Sequence, residues 1–112
     1  MASDRLLRSM TNGLIRAIVL SILEKGSLSG YLLMKEIKRM TGIAYHAGVL
    51  YPMLYSMEET GLISGEWVTK GRRRIKQYQL TGKGASALAK LRAFLKGTLH
   101  EILKEGSRDI SA

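Results

Sequence analysis

The sequence contains no cysteine, and among its 112 residues it has only one proline, one tryptophan and one phenylalanine. The lack of cysteine excludes disulfide bonds, thiolate nucleophiles and zinc or iron–sulfur sites built on cysteine, and it is compatible with a reducing cytoplasm. Histidine is also scarce, and the two histidines, His46 and His100, lie far apart in the chain. We therefore expect neither a metal site nor a cofactor.

Long apolar runs are missing as well. Arg16 interrupts the apolar stretch that begins at Leu14, and the longest unbroken run extends only from Ala17 to Leu20. A spanning helix needs about 20 apolar residues, so we expect no segment to cross a bilayer. Arg16 would also divide the hydrophobic region of a signal peptide, and no small-residue cleavage site follows it. These features predict a cytoplasmic protein without a membrane partner.

Acidic residues are half as numerous as basic ones. The chain has 9 Asp and Glu against 18 Lys and Arg, which gives a formal net charge of +9. Such an excess predicts an anionic partner, namely nucleic acid, an anionic membrane surface or an acidic protein. The hydrophobic fraction of 46% and the charged fraction of 24% are typical of a soluble globular protein, and the length fits one domain.

Patterns for catalysis are also lacking in the sequence. Glu58 and Glu59 are adjacent, so their side chains diverge by about 100° around a helix and cannot face each other across a substrate. The pair Gly82 and Gly84 is too short for a dinucleotide-binding fingerprint and fits the start of a helix instead. We therefore expect a binding protein and not an enzyme.

The spacing of apolar residues predicts three short helices in the first half of the chain. In the first, from Thr11 to Lys25, apolar residues recur three and four positions apart. The second helix starts after Ser29, a residue type that caps helices. The third runs from about His46 to Thr60, and Pro52 requires that it either starts near Ala47 or bends.

After Gly61 the pattern changes to alternation, which predicts two β-strands. The alternating segments are Ile63 to Val68 and Gln77 to Leu80. Between them lies the basic segment Lys70 to Arg74, in which Gly71 allows the positive φ that a tight turn often requires. The result is a hairpin with a basic tip.

A long final helix is predicted from Ala85 to Lys104, after Thr81 as a candidate N-cap. An apolar stripe follows one side of it and comprises Leu88, Leu91, Leu95, Leu99 and Ile102. The stripe spans more turns than a core this small needs, and its spacing approximates a coiled-coil seam. We expect these residues to form a homodimer contact; the alternative is that they cover the core of their own chain.

The order of these elements predicts a mainly α fold with a two-stranded β-hairpin, namely a winged helix-turn-helix plus a long C-terminal dimerisation helix. The predicted DNA-binding domain covers 1–82, with an N-terminal arm at 1–10, followed by the dimerisation helix at 83–105 and a flexible tail at 106–112. In such a domain the third helix enters the major groove of DNA, which is wide enough to admit it.

Two segments of the chain resemble the PadR family of transcriptional regulators. They are GVLYPMLYSMEETGLISGEW, from Gly48 to Trp67, and KQYQLTGKGASAL, from Lys76 to Leu88. The positions that match the family pattern are Gly48, Leu50, Tyr51, Pro52, Leu54, Glu58, Gly61, Leu62, Ile63, Trp67, Lys76, Tyr78, Leu80, Thr81 and Gly84. With the pair Gly30 and Tyr31, the resemblance covers about residues 13–90, and it depends on many more positions than a short motif does.

The resemblance implies a homodimeric repressor that binds double-stranded DNA, with C-terminal helices in the dimer contact. Some relatives respond to a small hydrophobic or phenolic effector, and the resemblance extends to such a ligand. A flat aromatic ligand favours aromatic walls, however, and Phe94 is the only aromatic residue of the last helix. The residues expected at the DNA are Ser29, Tyr31, Lys35, Gly48, Val49, Tyr51, Pro52, Tyr55, Arg72, Arg73, Arg74 and Lys76. The short tail after the last helix is similar to the smaller PadR subgroup, which has a single C-terminal helix.

The exposed face of the third helix departs from many PadR proteins, which have basic or long polar residues there. This chain offers Tyr55 and Ser56, followed by Glu58 and Glu59. No arginine on this helix can make a bidentate contact to guanine. We therefore expect specificity to depend on the wing, which is the hairpin with the basic tip, on the tyrosine hydroxyls and on the shape of the DNA.

Each candidate also has a purely structural explanation. Arg72 to Arg74 could form a solvated loop, but a triple arginine at a hairpin tip favours contact with phosphates or the minor groove. Tyr51 and Tyr55 could pack against each other, but at least Tyr55 should point outward because other residues occupy the core face. Trp67 is expected to pack against the hairpin and the third helix, opposite Lys76, where a cation–π contact can form.

Three other functions stay open at this point. A winged-helix module could direct its basic surface at an acidic protein, or the chain could bind DNA without sequence preference as an architectural protein. RNA binding is disfavoured, because the predicted strands lack the exposed aromatic pairs that stack on single-stranded bases.

Overall fold

The computed structural model describes residues 2–106 of the chain. Within this range the helices are α1 Ala2–Leu23, α2 Gly30–Thr41, α3 Ala47–Glu59 and α4 Gly82–Leu103, and the strands are β1 Leu28–Ser29, β2 Ile63–Lys70 and β3 Arg73–Leu80. The strands form one antiparallel sheet in the order β1-β3-β2. The mainly α fold with a hairpin is confirmed, and β1 adds a short third strand to it.

The first helix is longer than predicted. α1 begins at Ala2 and not at Thr11, so the prediction of an arm at 1–10 was wrong. The sequence carried a signal for the longer helix, because Leu7, Met10 and Leu14 already stand three and four positions apart.

α1 also has a property that its sequence pattern did not suggest. From Asp4 to Leu23 it is long and apolar enough to cross a membrane by length and composition alone, with a mean hydropathy of 1.4. Contrary to the expectation from the sequence, Arg16 therefore does not limit the apolar length of this helix. This is weak evidence for a membrane span, because core helices of soluble proteins meet the same criterion, and Val19 and Leu20 of α1 are buried inside the protein.

Helices α2 and α3 form the helix-turn-helix pair, close to their predicted bounds. Ser29 caps α2, since its Oγ accepts a hydrogen bond from the backbone N–H of Leu32 at 3.2 Å. α3 begins at Ala47, one of the two arrangements that Pro52 allowed. Pro52 nevertheless lies in the second turn, where it cannot donate the helical hydrogen bond that another residue would make.

Strands β2 and β3 form the wing, residues 63–80. Lys70 pairs with Arg73, which leaves Gly71 and Arg72 as a two-residue turn. Gly71 has a φ of 65°, in the left-handed region that glycine adopts without steric cost. The turn and its register are therefore those predicted from the sequence.

The hydrophobic core lies between the three N-terminal helices, the base of the wing and the first turns of α4. It comprises Ile15, Val19, Leu20, Ile22, Leu23, Leu33, Ile37, Leu50, Leu54, Met57, Ile63, Tyr78 and Leu88. Leu88 is only 3% exposed, so it belongs to the core of its own chain. This corrects the prediction that Leu88 forms a dimer contact, because a buried side chain offers no surface to a partner.

Polar contacts start α4 and also tie it to α1. Thr81 caps the helix as predicted: its Oγ1 accepts from the backbone N–H of Gly84 at 3.0 Å. One end of α1 is tied to α4 where Arg92 Nη1 donates to Glu24 Oε2 at 2.9 Å. The hydrogen bond from Arg92 lowers the pKa of the Glu24 carboxyl below its usual value.

Candidate nucleic-acid interface

A groove lies between the N-terminus of α2, one face of α3 and the inner face of the wing. We call it the wing groove; its volume is about 670 Å³. It is lined by Ser29, Gly30, Tyr31, Leu32, Tyr51, Tyr55, Trp67, Lys70, Arg73, Arg74, Ile75, Lys76, Gln77 and Tyr78. Three regions of the sequence that were predicted to contact DNA therefore meet along one groove.

Most of the predicted DNA contacts line this groove or lie near it. Gly48 and Pro52 are exposed on α3 beside it, Arg72 lies at the tip of the wing, and Lys35 lies one turn along α2 from Tyr31. Val49 is the exception, because it lines a second cavity, of about 410 Å³, on the side of α3 that faces α1. Its position follows from helix geometry, since each residue turns the helix by about 100°.

Tyr51 and Tyr55 occupy different environments on the same helix. A Cβ on Gly30 would lie 2.5 Å from Tyr51 Oη, so Tyr51 can pack this closely against α2 only because residue 30 is glycine. The ring centroids of Tyr51 and Tyr55 are 6.3 Å apart. Tyr55 is 51% exposed and points outward, as predicted, whereas the half-buried Tyr51 holds α3 against α2.

Lys76 lies opposite Trp67, as the predicted register requires, but its contacts are different from those expected. Its Nζ donates to Glu58 Oε1 at 2.9 Å and lies 5.3 Å from the ring centroids of both Tyr55 and Tyr78. The predicted cation–π contact between Lys76 and Trp67 is therefore replaced by contacts with two tyrosines. Because Glu58 of α3 balances its charge, Lys76 joins the wing to α3 and is less suited to a phosphate contact than predicted.

Trp67 is 58% exposed, so the prediction that it packs against the third helix was wrong. It pairs with Lys76, and Thr69 pairs with Arg74, so Trp67 and Arg74 are diagonal neighbours on one face of the hairpin. The guanidinium carbon of Arg74 lies 5.4 Å from the Trp67 ring centroid. Trp67 is thus a groove residue that the sequence reading missed, although the diagonal pairing in the predicted register could have indicated it.

Tyr78 forms the floor of the wing groove. It is 1% exposed, and its hydroxyl has no hydrogen-bond partner among residues 2–106. Burial, with smaller effects from Tyr55 and Glu58, raises the pKa of Tyr78 to about 12. The side chain is therefore neutral at physiological pH and adds no charge to the groove.

The positive charge of the groove comes from the tip of the wing. Lys70, Arg72, Arg73 and Arg74 are exposed, and none of them forms an ion pair with a carboxylate of the described residues. The carboxylate of Glu58 on α3 already forms an ion pair with Lys76. The tip can therefore attract an external anion without internal competition.

Two further groups of exposed residues are apolar. They are Leu6, Leu7 and Met10 at the start of α1, and Leu91, Phe94, Leu99, Ile102 and Leu103 in the outer half of α4. We call these two groups the apolar ends. Of the remaining predicted dimer residues, Leu95 is half-buried. The α1 group was missed because that segment was interpreted as an arm.

Comparison with known proteins identifies the family. The model of the transcriptional regulator PadR-like family matches residues 19–90. A PadR family transcriptional regulator from Eggerthella lenta is similar in structure, with a TM-score of 0.73 and 30% identity over 95% of this chain and 99% of that chain. A PadR-like transcription factor from Bacteroides fragilis gives a TM-score of 0.74 and 28% identity over 88% of this chain and 96% of that chain.

A third similar structure is that of Bacillus subtilis PadR in complex with operator DNA. Its TM-score is 0.64 at 22% identity, over 88% of this chain and 51% of that chain, so this likeness concerns the fold alone. No curated protein sequence matches the chain. The family model nevertheless covers more than half of the sequence. The chain therefore belongs to the PadR-like family of transcriptional regulators, which bind DNA through a winged helix-turn-helix and are not enzymes.

Proposed function

We propose that the protein is a cytoplasmic, homodimeric repressor that binds inverted-repeat duplex DNA. Each α3 occupies a major groove, and each wing contacts the adjacent backbone or minor groove. The observation that carries the proposal is the wing groove, which is lined together by basic, aromatic and hydroxyl-bearing residues of α2, α3 and the wing. The repressor role is an inference from family membership alone.

The exposed side of α3 is compatible with the major groove. Gly48, Pro52, Tyr55, Ser56 and Glu59 are all exposed there, and the small residues near the start of the helix allow its backbone to approach the bases. Hydroxyl groups can donate to or accept from base edges, and a carboxylate can accept from the amino group of cytosine. Direct base contacts then come from few side chains, so DNA shape contributes to specificity.

The wing supplies the electrostatic part of the affinity. Arg72, Arg73 and Arg74 are exposed at or next to a tight turn, a position from which they can reach phosphates or enter the minor groove. Each phosphate that they neutralise releases counterions, so the affinity depends on salt concentration.

Dimerisation is proposed through the apolar ends. Phe94 and Ile102 of α4 are 67% and 68% exposed, and Leu6 of α1 is 71% exposed. Large apolar side chains grouped on a surface are typical of interaction sites. Pairing of α4 helices through Leu91, Leu95, Leu99 and Ile102 would produce a two-fold dimer, and a two-fold dimer of winged helices binds half-sites about one DNA turn apart.

The test is a band-shift titration with an inverted repeat from the promoter region of the protein's own gene. A duplex with the same bases in scrambled order is the control, and both are titrated at low and high salt. We expect a clear preference for the repeat, with log K decreasing against log salt by about 0.9 for each phosphate contact. Equal affinity for both duplexes would indicate an architectural protein, and absence of binding would favour an acidic protein partner.

A further inference from the structure

The three arginines of the wing differ in what supports them. Arg74 lies over the indole of Trp67, at 5.4 Å from the ring centroid. Arg72 is in the turn, and Arg73 points to the opposite face of the hairpin because side chains alternate along a strand. Among the cation–π contacts of the described residues, this is the only one that involves an arginine of the wing.

The surroundings of Arg74 leave its guanidinium available to an external anion. Glu58 is bound to Lys76, and Glu66 lies on the other face of β2, opposite Gln77. A guanidinium that is held over an aromatic ring and has no carboxylate partner can direct its N–H groups to an external anion, and these groups match two oxygens of a phosphate. The ring also restricts the side chain before binding, which reduces the entropy that is lost when the phosphate is bound.

We infer that Trp67 is a positioning residue: it holds Arg74 in the orientation that binds one phosphate of the DNA backbone at the mouth of the wing groove. This inference depends on the proposed function. It gives the single tryptophan of the chain a role in DNA affinity without requiring that the indole itself contacts DNA. One backbone strand then passes between the wing and α3.

The test is a double-mutant cycle on the full-length protein, with inverted-repeat DNA at several salt concentrations. For R74A we expect the salt slope of log K to fall by about 0.9 per wing, because a phosphate contact is lost. For W67A we expect affinity to fall about three- to fivefold per wing with an unchanged slope, because the charge remains. In the R74A background, W67A should have no further effect on affinity. In the wild-type background, W67F should retain most of the affinity that W67A loses.

Arg72 provides the matched control, since R72A removes the same charge from an arginine without an aromatic support. The effects of R72A and W67A should be additive. Circular dichroism melts check that each variant is folded, which we expect because Trp67 is mostly exposed. The fluorescence of Trp67 in DNA-free R74A should differ from that of the wild type, which tests the pair independently of DNA.

Two outcomes would overturn the inference. If W67A binds as tightly as the wild type, Trp67 does not position Arg74 for DNA. If W67A weakens binding equally with and without Arg74, the indole contacts DNA by itself. Failure of the wild-type protein to bind any duplex is a different result, because it would overturn the proposed function, and with it this inference.

Discussion

The wing and the outer half of α4 are both exposed, but their chemistry is opposite. The tip of the wing carries Lys70 and the three arginines from Arg72 to Arg74, without an internal ion pair among the described residues. The outer half of α4 exposes Phe94, Ile102 and Leu103 at 67%, 68% and 75%. One surface is suited to a charged partner and the other to an apolar one.

This difference predicts that salt acts differently on the two surfaces. Salt screens contacts between charges and reduces the free energy gained when counterions are released from DNA, so it weakens association at the wing. Burial of apolar side chains is not weakened in this way. DNA binding and dimerisation should therefore be separable by mutation, and the predictions below test that separation.

The largest effect is expected from reversal of the charge at the wing. Changing Arg72, Arg73 and Arg74 to Glu should weaken DNA binding about 1,000-fold, because phosphate contacts become repulsive. Light scattering should show the same oligomeric state as in the wild type. The matched control changes to Glu two lysines of α4, Lys90 and Lys96, and Lys104 directly after it, and should retain most of the affinity. Unchanged DNA binding by the arginine variant would favour an acidic protein partner instead.

A smaller effect on DNA is expected from the apolar surface. L95E places a charge in the α4 stripe, so light scattering should detect monomers, and affinity for the inverted repeat should fall about 100-fold because the half-sites are no longer bound together. I102E, at a residue that is 68% exposed, gives the same test without risk to the core. A93E is the control on the opposite side of α4. Dimers that persist in both stripe variants would place the interface elsewhere.

Local features of the fold could be predicted from the sequence because each depends on few neighbouring residues. Ser29 and Thr81 cap their helices through their own hydroxyls, and Gly71 forms the turn that sets the register of the wing. The register in turn placed Trp67 opposite Lys76 correctly. Such contacts span a few positions of the chain or follow from one turn.

The partners of side chains at the site could not be predicted in the same way. Lys76 binds Glu58, which is 18 residues away in the chain, and this contact depends on how the wing packs against α3. Similarly, the periodicity of α4 identified an apolar stripe, but only the packing of α1 decides that Leu88 is buried while Ile102 is exposed. The sequence specifies which side chains share a face, and the tertiary structure decides what covers them.

The base of the wing allows a sharper form of the comparison. K76M should lower the free energy of unfolding by about 1–2 kcal/mol, because it leaves Glu58 without its partner, and should leave the salt slope of DNA binding unchanged. K70M, at an exposed lysine of the tip, should do the reverse, with little change in stability and a slope smaller by about 0.9 per wing. Urea denaturation and band shifts measure the two quantities. A reduced slope for K76M would restore Lys76 as a DNA contact.

The smallest expected effect concerns the floor of the groove. Because the buried hydroxyl of Tyr78 has no partner among the described residues, Y78F should raise the free energy of unfolding by up to about 1 kcal/mol at neutral pH. The pKa of Tyr78 is raised to about 12, above the usual value near 10, so the wild-type protein holds this proton more tightly when folded. The stability that depends on this tightly held proton is therefore fully present below pH 10 and is lost as the pH rises toward 12. Urea denaturation across this range should show that the free energy of unfolding falls more steeply with pH for the wild type than for Y78F.

Y45F is the matched control, and it should be destabilising, because Tyr45 Oη donates to Asn12 Oδ1 at 2.6 Å. If Y78F destabilised the protein as much as Y45F, the Tyr78 hydroxyl would have to be hydrogen-bonded, and the floor of the groove would be polar.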